Sequence, residues 1–162
     1  MSRSGTSDAA LQALYEARYR DFLRVATAIT GSTEQGRDAV QDAFARLLAR
    51  SGDFRGEGSL DGWAWRTVVR SAQNARRRSA VQVSHLESPA ARRNGSGHED
   101  DRVRALVAAL PERQRLAVFL RYYADLDYGQ IAEALDVRPG TVAATLHKAH
   151  ATLRNSLEGV TR

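Results

Sequence analysis

The amino-acid sequence predicts an all-α protein made of two small helical domains joined by a flexible linker. Three observations carry that expectation. Apolar residues recur at spacings of four and three, as at Tyr15, Tyr19, Phe22, Ala26 and Ile29, which sets them on one face of a helix. The stretch Ser79–Asp101 has no such period and is rich in Ser, Gly, Pro and charge, a tether-like composition too long for a structureless loop inside one compact domain. Beyond it, Asp127–Leu153 reads as two helices joined by a tight turn, with an apolar stripe through Ile131, Leu135, Val142, Leu146, Ala149 and Leu153. The expected bounds are 8–79 for the first domain, 80–101 for the linker and 102–158 for the second domain.

The first helix is expected over about Asp8–Ile29, closed by Gly31. Ser32 with Gln35 forms a candidate capping box for a second helix, whose apolar face is Val40, Phe44, Leu47 and Leu48 and whose other face carries Asp38, Gln41, Asp42 and Arg46. On spacing alone that other face is a solvated one. SGDFRGEGS follows as a loop, and a third helix starts after Ser59 with Trp63, Trp65, Val68, Val69 and Ala72, interspersed with Arg66 and Arg70 and ending on Arg76–Arg78. Successive side chains lie about 100° apart on a helix, so Trp63 and Trp65 cannot both face one core and one of them is expected at the surface. An aromatic beside arginines and a loop suits an unstacked base. Two core tryptophans with arginines complementing the helix dipole is the competing reading.

In the second half, Val103, Leu106, Val107 and Leu110 precede Pro111 at a new helix start, and Leu116, Phe119, Leu120 and Tyr123 face inward from the helix that follows. Asp127 and Gln130 predict a capping box, and Pro139 suits the first turn of the last helix. Opposite the apolar stripe of that helix stand Arg138, Thr141, Ala143, Thr145, Lys148 and His150. Small, hydrogen-bonding and basic side chains at a helix N-terminus suit base edges and phosphates in a major groove, although a helical hairpin with a basic solvated face has the same pattern.

Composition narrows the classes. The 162 residues are 43% apolar and 27% charged, with a net charge of +5; the pI near 10.2 favours an acidic partner, nucleic acid first. There is no cysteine, which removes disulfides and thiolate chemistry. MSRSGTSDAALQ lacks the apolar core of a signal peptide and no run approaches a membrane span, so a cytoplasmic protein without membrane insertion is expected. His85, His98, His147 and His150 lack helper ligands at zinc spacing, and no phosphate-binding loop or nucleophile elbow is present. Neither a metal, nor a cofactor, nor catalysis is expected.

The order of parts resembles the extracytoplasmic-function sigma factors, the small two-domain members of the bacterial sigma-70 family, over roughly Leu11–Leu157. Asp38-Ala39-Val40-Gln41-Asp42-Ala43-Phe44 is similar to the D-x-x-Q-[DE]-x-F segment of their region 2.2. Leu110-Pro111-Glu112-Arg113-Gln114-Arg115, Tyr128-Gly129-Gln130-Ile131-Ala132-Glu133-Ala134-Leu135 and Gly140-Thr141-Val142 are similar to region 4. The resemblance implies that Asp38, Gln41, Asp42 and Phe44 bind the β′ clamp helices of core RNA polymerase. It implies that the loop around Asp53–Ser59 and the helix after it open and read the −10 promoter element, with contacts at Trp63, Trp65, Arg66, Arg70, Asn74 and Arg77, and it implies −35 contacts at Arg138, Thr141, Val142, Ala143, Thr145 and Lys148. The helices over 103–123 would meet the β flap, and an anti-sigma factor is a further expected partner. The acidic linker end, Glu99–Asp101, would either thread a basic channel of the polymerase or act as a solubilising tether. A stand-alone helix-turn-helix regulator, its N-terminal helices serving dimerisation, is the alternative. Where the family often carries Lys or Arg, this chain has Ala143, Thr145 and His150, and Arg70 stands where Asn is frequent, so a weakly basic −35 helix is expected.

Overall fold

The computed structural model describes residues 3–83 and 98–159, with side chains from Ser7 to Val81 and from Glu99 to Gly159. Seven α-helices account for the regular structure among the described residues: α1 (Arg3–Thr30), α2 (Thr33–Ala49), α3 (Leu60–Val83), α4 (His98–Ala108), α5 (Glu112–Tyr122), α6 (Tyr128–Leu135) and α7 (Pro139–Glu158), with a single 3-10 turn at Ser51–Asp53. The expected all-α class and the two helical domains are found. Helix α3 runs past residue 79, and α4 begins before residue 102. Glu99, Asp100 and Asp101 form the first turn of α4, where acidic side chains complement the helix dipole. The remainder of the expected linker, and the last three residues, lie outside the described residues.

Helices α1, α2 and α3 pack around a ring of aromatics. Trp65 is fully buried with its ring 4.4 Å from Phe22; Phe22 lies 5.2 Å from Phe44, and Phe44 lies 4.9 Å from Tyr15. Such tilted and edge-on contacts add to the area that these rings remove from water. Gly31, at φ +78°, ends α1 with its N–H on the Thr27 carbonyl at 2.8 Å. Ser32 then caps α2 by accepting from the Gln35 N–H, but the capping box stays half made, because the Gln35 side-chain oxygen accepts instead from Ser79 Oγ of α3 at 3.2 Å.

At Gly36 α2 comes close against the backbone of α1. A Cβ placed there would lie 2.7 Å from the Thr27 backbone nitrogen and 2.9 Å from its Cα, so the obstacle is backbone. Alanine is worth up to about 1 kcal/mol more than glycine inside a helix, whereas overpacking a tight contact costs about 1–3 kcal/mol. Gly36→Ala is expected to lose stability by about 1–2 kcal/mol, seen as a lower Tm in a thermal melt. A higher Tm would mean that helix propensity outweighs the contact.

In the second domain Arg115 ties α5 to the end of α4, donating to the Ala108 and Leu110 carbonyls at 2.9 and 3.3 Å. Pro111 is the N-cap of α5, one residue ahead of its first turn. Asp125, at φ +52°, turns the chain after α5 and places Leu126 in the core. Asp127 and Gln130 then make the complete capping box for α6, and Asp136, at φ +55°, closes that helix with its N–H on the Glu133 carbonyl. Val142, Leu146 and Ala149 of α7 pack onto α5 and α6. The two domains also touch: α3 lies along α6, and Arg18 Nη2 of α1 donates to the Ala124 carbonyl at 3.1 Å.

Candidate nucleic-acid interface

Three surfaces carry the residues singled out by sequence. The first lies at the start of α3. Ser59 caps that helix by accepting from the Gly62 N–H at 2.9 Å. The preceding loop turns at Gly56 (φ +77°) and Gly58 (φ +83°) and brings Phe54 over Trp63, the two rings stacked at 5.4 Å and 17°. Arg50, Arg55 and Arg66 line the same concavity, of about 300 Å³, together with Asp53, Glu57 and Glu133 of α6. Trp63 is half-buried there. The expectation that one tryptophan reaches the surface therefore falls on Trp63, while Trp65 is fully buried in the core of the first domain.

From the concavity a polar stripe climbs α3 through Arg66, Arg70, Asn74 and Arg77, at steps of four, four and three that keep one face. Arg70, Asn74 and Arg77 are exposed. Arg66 is engaged: Nε donates to the Glu133 carbonyl at 3.1 Å, and Nη2 lies 3.8 Å from Asp136 Oδ1. Gln73, on the flank, donates to Glu112 of α5 at 3.2 Å.

Asp61, in the first turn of α3, sits between the domains. Burial pushes its carboxyl above the usual carboxylate range; Arg18 and the Trp65 indole N–H pull the other way, and the charges of Glu133 and Asp127 add to the rise. A raised carboxyl means that the folded state holds more protons than the unfolded state, from near the ordinary value of 3.8 up through the raised pKa. Its stabilising share is thus whole below that value and is lost as pH climbs. Asp61→Asn is expected to melt higher than the unsubstituted chain at neutral pH, with the gap closing as pH falls. Thermal melts across pH check this, and a gap that widens on acidification would reject it.

The second surface is α2. Asp38 and Gln41 are exposed, and Leu48 continues their face at 47% exposure, off the core stripe expected for it. Asp42 is half-buried, paired with Arg46 at 3.1 Å and accepting from Ser71 Oγ of α3 at 3.3 Å. Phe44, 6% exposed, belongs to the aromatic core and is no surface contact.

The third surface is α7. Arg138 occupies its N-cap position and Pro139 its first turn. Ala143 and Lys148 are exposed, Thr141 is half-buried, and Thr145 is half-buried with its hydroxyl on the Thr141 carbonyl at 2.7 Å. Val142 is buried and supports the turn from within. His150 is turned to α5, its Nε2 2.8 Å from the Tyr122 hydroxyl. His147 and Ala144 share the exposed front with Lys148.

Among the described residues no group of three acidic or histidine side chains is placed to hold a metal ion, and no helix is long and apolar enough to cross a membrane. The resemblance implies the loop over 53–59 and the span 138–148 without singling out Phe54, Arg55 or His147, while Arg50, the exposed Leu48 and Glu133 lay outside the expected site residues. A large aromatic inside a glycine-rich loop was the available signal for Phe54. Glu133 had none, since its role depends on contact across domains.

A helical domain with an aromatic-arginine concavity, joined to a helix-turn-helix, defines a DNA-reading protein with two separate readers. Residues 14–81 match the family described as Sigma-70 region 2, and residues 100–153 match Sigma-70, region 4. The chain is 29% identical over 143 residues to the ECF RNA polymerase sigma-E factor of Escherichia coli (strain K12), covering 77% of this chain and 75% of that protein. It is 24% identical over 160 residues to the RNA polymerase sigma factor SigV of Bacillus subtilis (strain 168), covering 97% and 96%. Among solved structures the fold is similar to CnrH in complex with the cytosolic domain of CnrY, with a TM-score of 0.73 at 17% identity and coverage of 96% and 95%. It is also similar to the sigma factor RpoE in complex with the anti-sigma factor NepR from Bartonella quintana, with a TM-score of 0.61 at 19% identity and coverage of 97% and 94%. The chain belongs to the sigma-70 family and is an RNA polymerase sigma factor of the extracytoplasmic-function group. The region 2 match decides against a stand-alone helix-turn-helix regulator.

Proposed function

We propose that this sigma factor divides its work among the three surfaces. The exposed Asp38, Gln41 and Leu48 of α2 dock on the β′ clamp helices of core polymerase, with Asp42 holding α2 to α3 beneath them. Trp63, stacked on Phe54 beside Arg50, Arg55 and Arg66, takes an unstacked base of the −10 element, and Arg70, Asn74 and Arg77 follow the strand. That stacked pair, in a concavity where three arginines stand among three carboxylates, carries the reading, because every base offers a π-face and the arginines serve its phosphates. Arg138, Thr141, Ala143, His147 and Lys148 meet the −35 element in the major groove, with Val142 setting the helix angle from the core.

Helices α4 and α5, which expose Val103 and Tyr122, supply the face for the β flap. The polymerase performs the chemistry and this chain supplies specificity, so the chain is no enzyme and works in the cytoplasm. An anti-sigma factor is a natural partner, since the relative from Bartonella quintana is bound to one.

Transcription with purified core polymerase on a genomic promoter library tests the reading directly. Discrete initiation sites absent with core enzyme alone are expected, and none would overturn it. Within that assay Gln41→Ala is expected to weaken core binding by roughly five- to thirtyfold, the usual effect of truncating one central interface residue. Helical content measured by circular dichroism should stay intact. Unchanged core affinity would remove α2 from the interface.

A further inference from the structure

One acidic residue of the helix-turn-helix sits among the donors of the other reader. Glu133 projects from α6 onto the start of α3, where its Oε2 accepts from the Ser59 N–H at 3.3 Å and from the Ser59 hydroxyl. Its backbone carbonyl takes Arg66 Nε, and Asp136, one turn on, faces Arg66 Nη2. The fit is close as well as charged. A Cβ added to Gly62 would fall 2.7 Å from Glu133 Cβ, so the absent side chain at Gly62 makes room for Glu133.

The donors that Glu133 and Asp136 occupy are a helix N-terminus, a hydroxyl and a guanidinium, the groups that bind phosphate and base edges. The concavity holding Trp63 has Glu133 as one wall, so a nucleotide entering it meets a carboxylate. Two anionic side chains, one on α6 and one at its C-cap, thus stand where an anionic strand would bind.

We propose that Glu133 is an intramolecular surrogate for promoter DNA: it latches α6 onto α3 in a closed form, and the −10 strand displaces it. The proposal rests on the reading of Trp63 and its concavity given under Proposed function. Latch and strand compete for the same donors. The closed form therefore resists unspecific single strands until polymerase and duplex contacts draw the two domains apart.

The chain contains no cysteine, so Glu34→Cys and Asn155→Cys place two spin labels cleanly on exposed sites of α2 and α7. Pulsed electron resonance on the full chain should give one narrow distance distribution. Adding Glu133→Ala is expected to broaden it and to lower the closed-to-open ratio roughly fivefold, the scale of a partly solvated charge-assisted contact. Gly62→Ala should act in the same direction through sterics, while alanine favours the helix itself. Circular dichroism separates opening from unfolding.

A fluorescent −10 single-strand oligonucleotide should bind both variants several-fold more tightly than the unsubstituted chain. Distances unchanged in both variants would overturn the latch. Distances that open without any gain in measurable oligonucleotide affinity would overturn the surrogate role. The distance measurement needs no polymerase, so its failure is distinct from a failure of promoter-directed transcription.

Discussion

Replacing Trp65 with alanine should cost the protein about 3–5 kcal/mol, a fall in Tm of roughly 12–40 °C for a domain of this size. The indole is fully buried, 4.4 Å from Phe22, with the Arg18 guanidinium 5.8 Å from its ring centre. Phe22 carries the contact onward to Phe44, so the cavity would open where all three helices of the first domain meet. Neighbouring rings cannot all turn to fill it, because each is held edge-on by the next. Thermal denaturation checks the loss. A Trp65→Ala chain that melts normally but fails to open promoters would place the side chain at the DNA instead.

Trp63→Ala should do the reverse. Its ring is half-buried, stacked on Phe54 at the edge of the core, so stability should drop far less, by about 1 kcal/mol. Opening of a duplex promoter should slow by roughly tenfold, from the loss of one base–aromatic stack worth about 1–3 kcal/mol. The defect should shrink on a template whose −10 segment is already unpaired, since capture of a base then offsets no melting. Trp63→Phe should restore most of the rate. Equal defects on duplex and pre-opened templates would argue that Trp63 acts elsewhere, and stopped-flow fluorescence of open-complex formation distinguishes the cases.

The contrast between the tryptophans also measures how far the sequence could be read. Helical spacing says that Trp63 and Trp65 diverge, but not which one faces inward, since that depends on where α1 lies. Helix ends were legible because capping is local: Gly31, Asp127 with Gln130, and Pro139 act within one turn of chain. Gln35 shows the limit, its side chain drawn from the expected cap to Ser79 on a distant helix. Phe44 shows another. A motif position suggested an interface, but a phenylalanine four residues after Val40 continues the core stripe, and the T-shaped contacts with Tyr15 and Phe22 keep it there. Asp38 and Gln41 remain on the surface because the same periodicity turns them away.

Arg66 and Glu133 were out of reach for a different reason. They are 67 positions apart, and nothing local marks either as the other's partner. Pairing of that kind arises when two domains meet.

Glu133 stands on α6, the helix that supports the turn, and not on α7, whose front faces the groove. With the proposed latch on that helix, substitutions at Glu133 would retune how readily the protein engages while leaving the groove-facing residues of α7 untouched, so sensitivity and −35 choice would be separable traits.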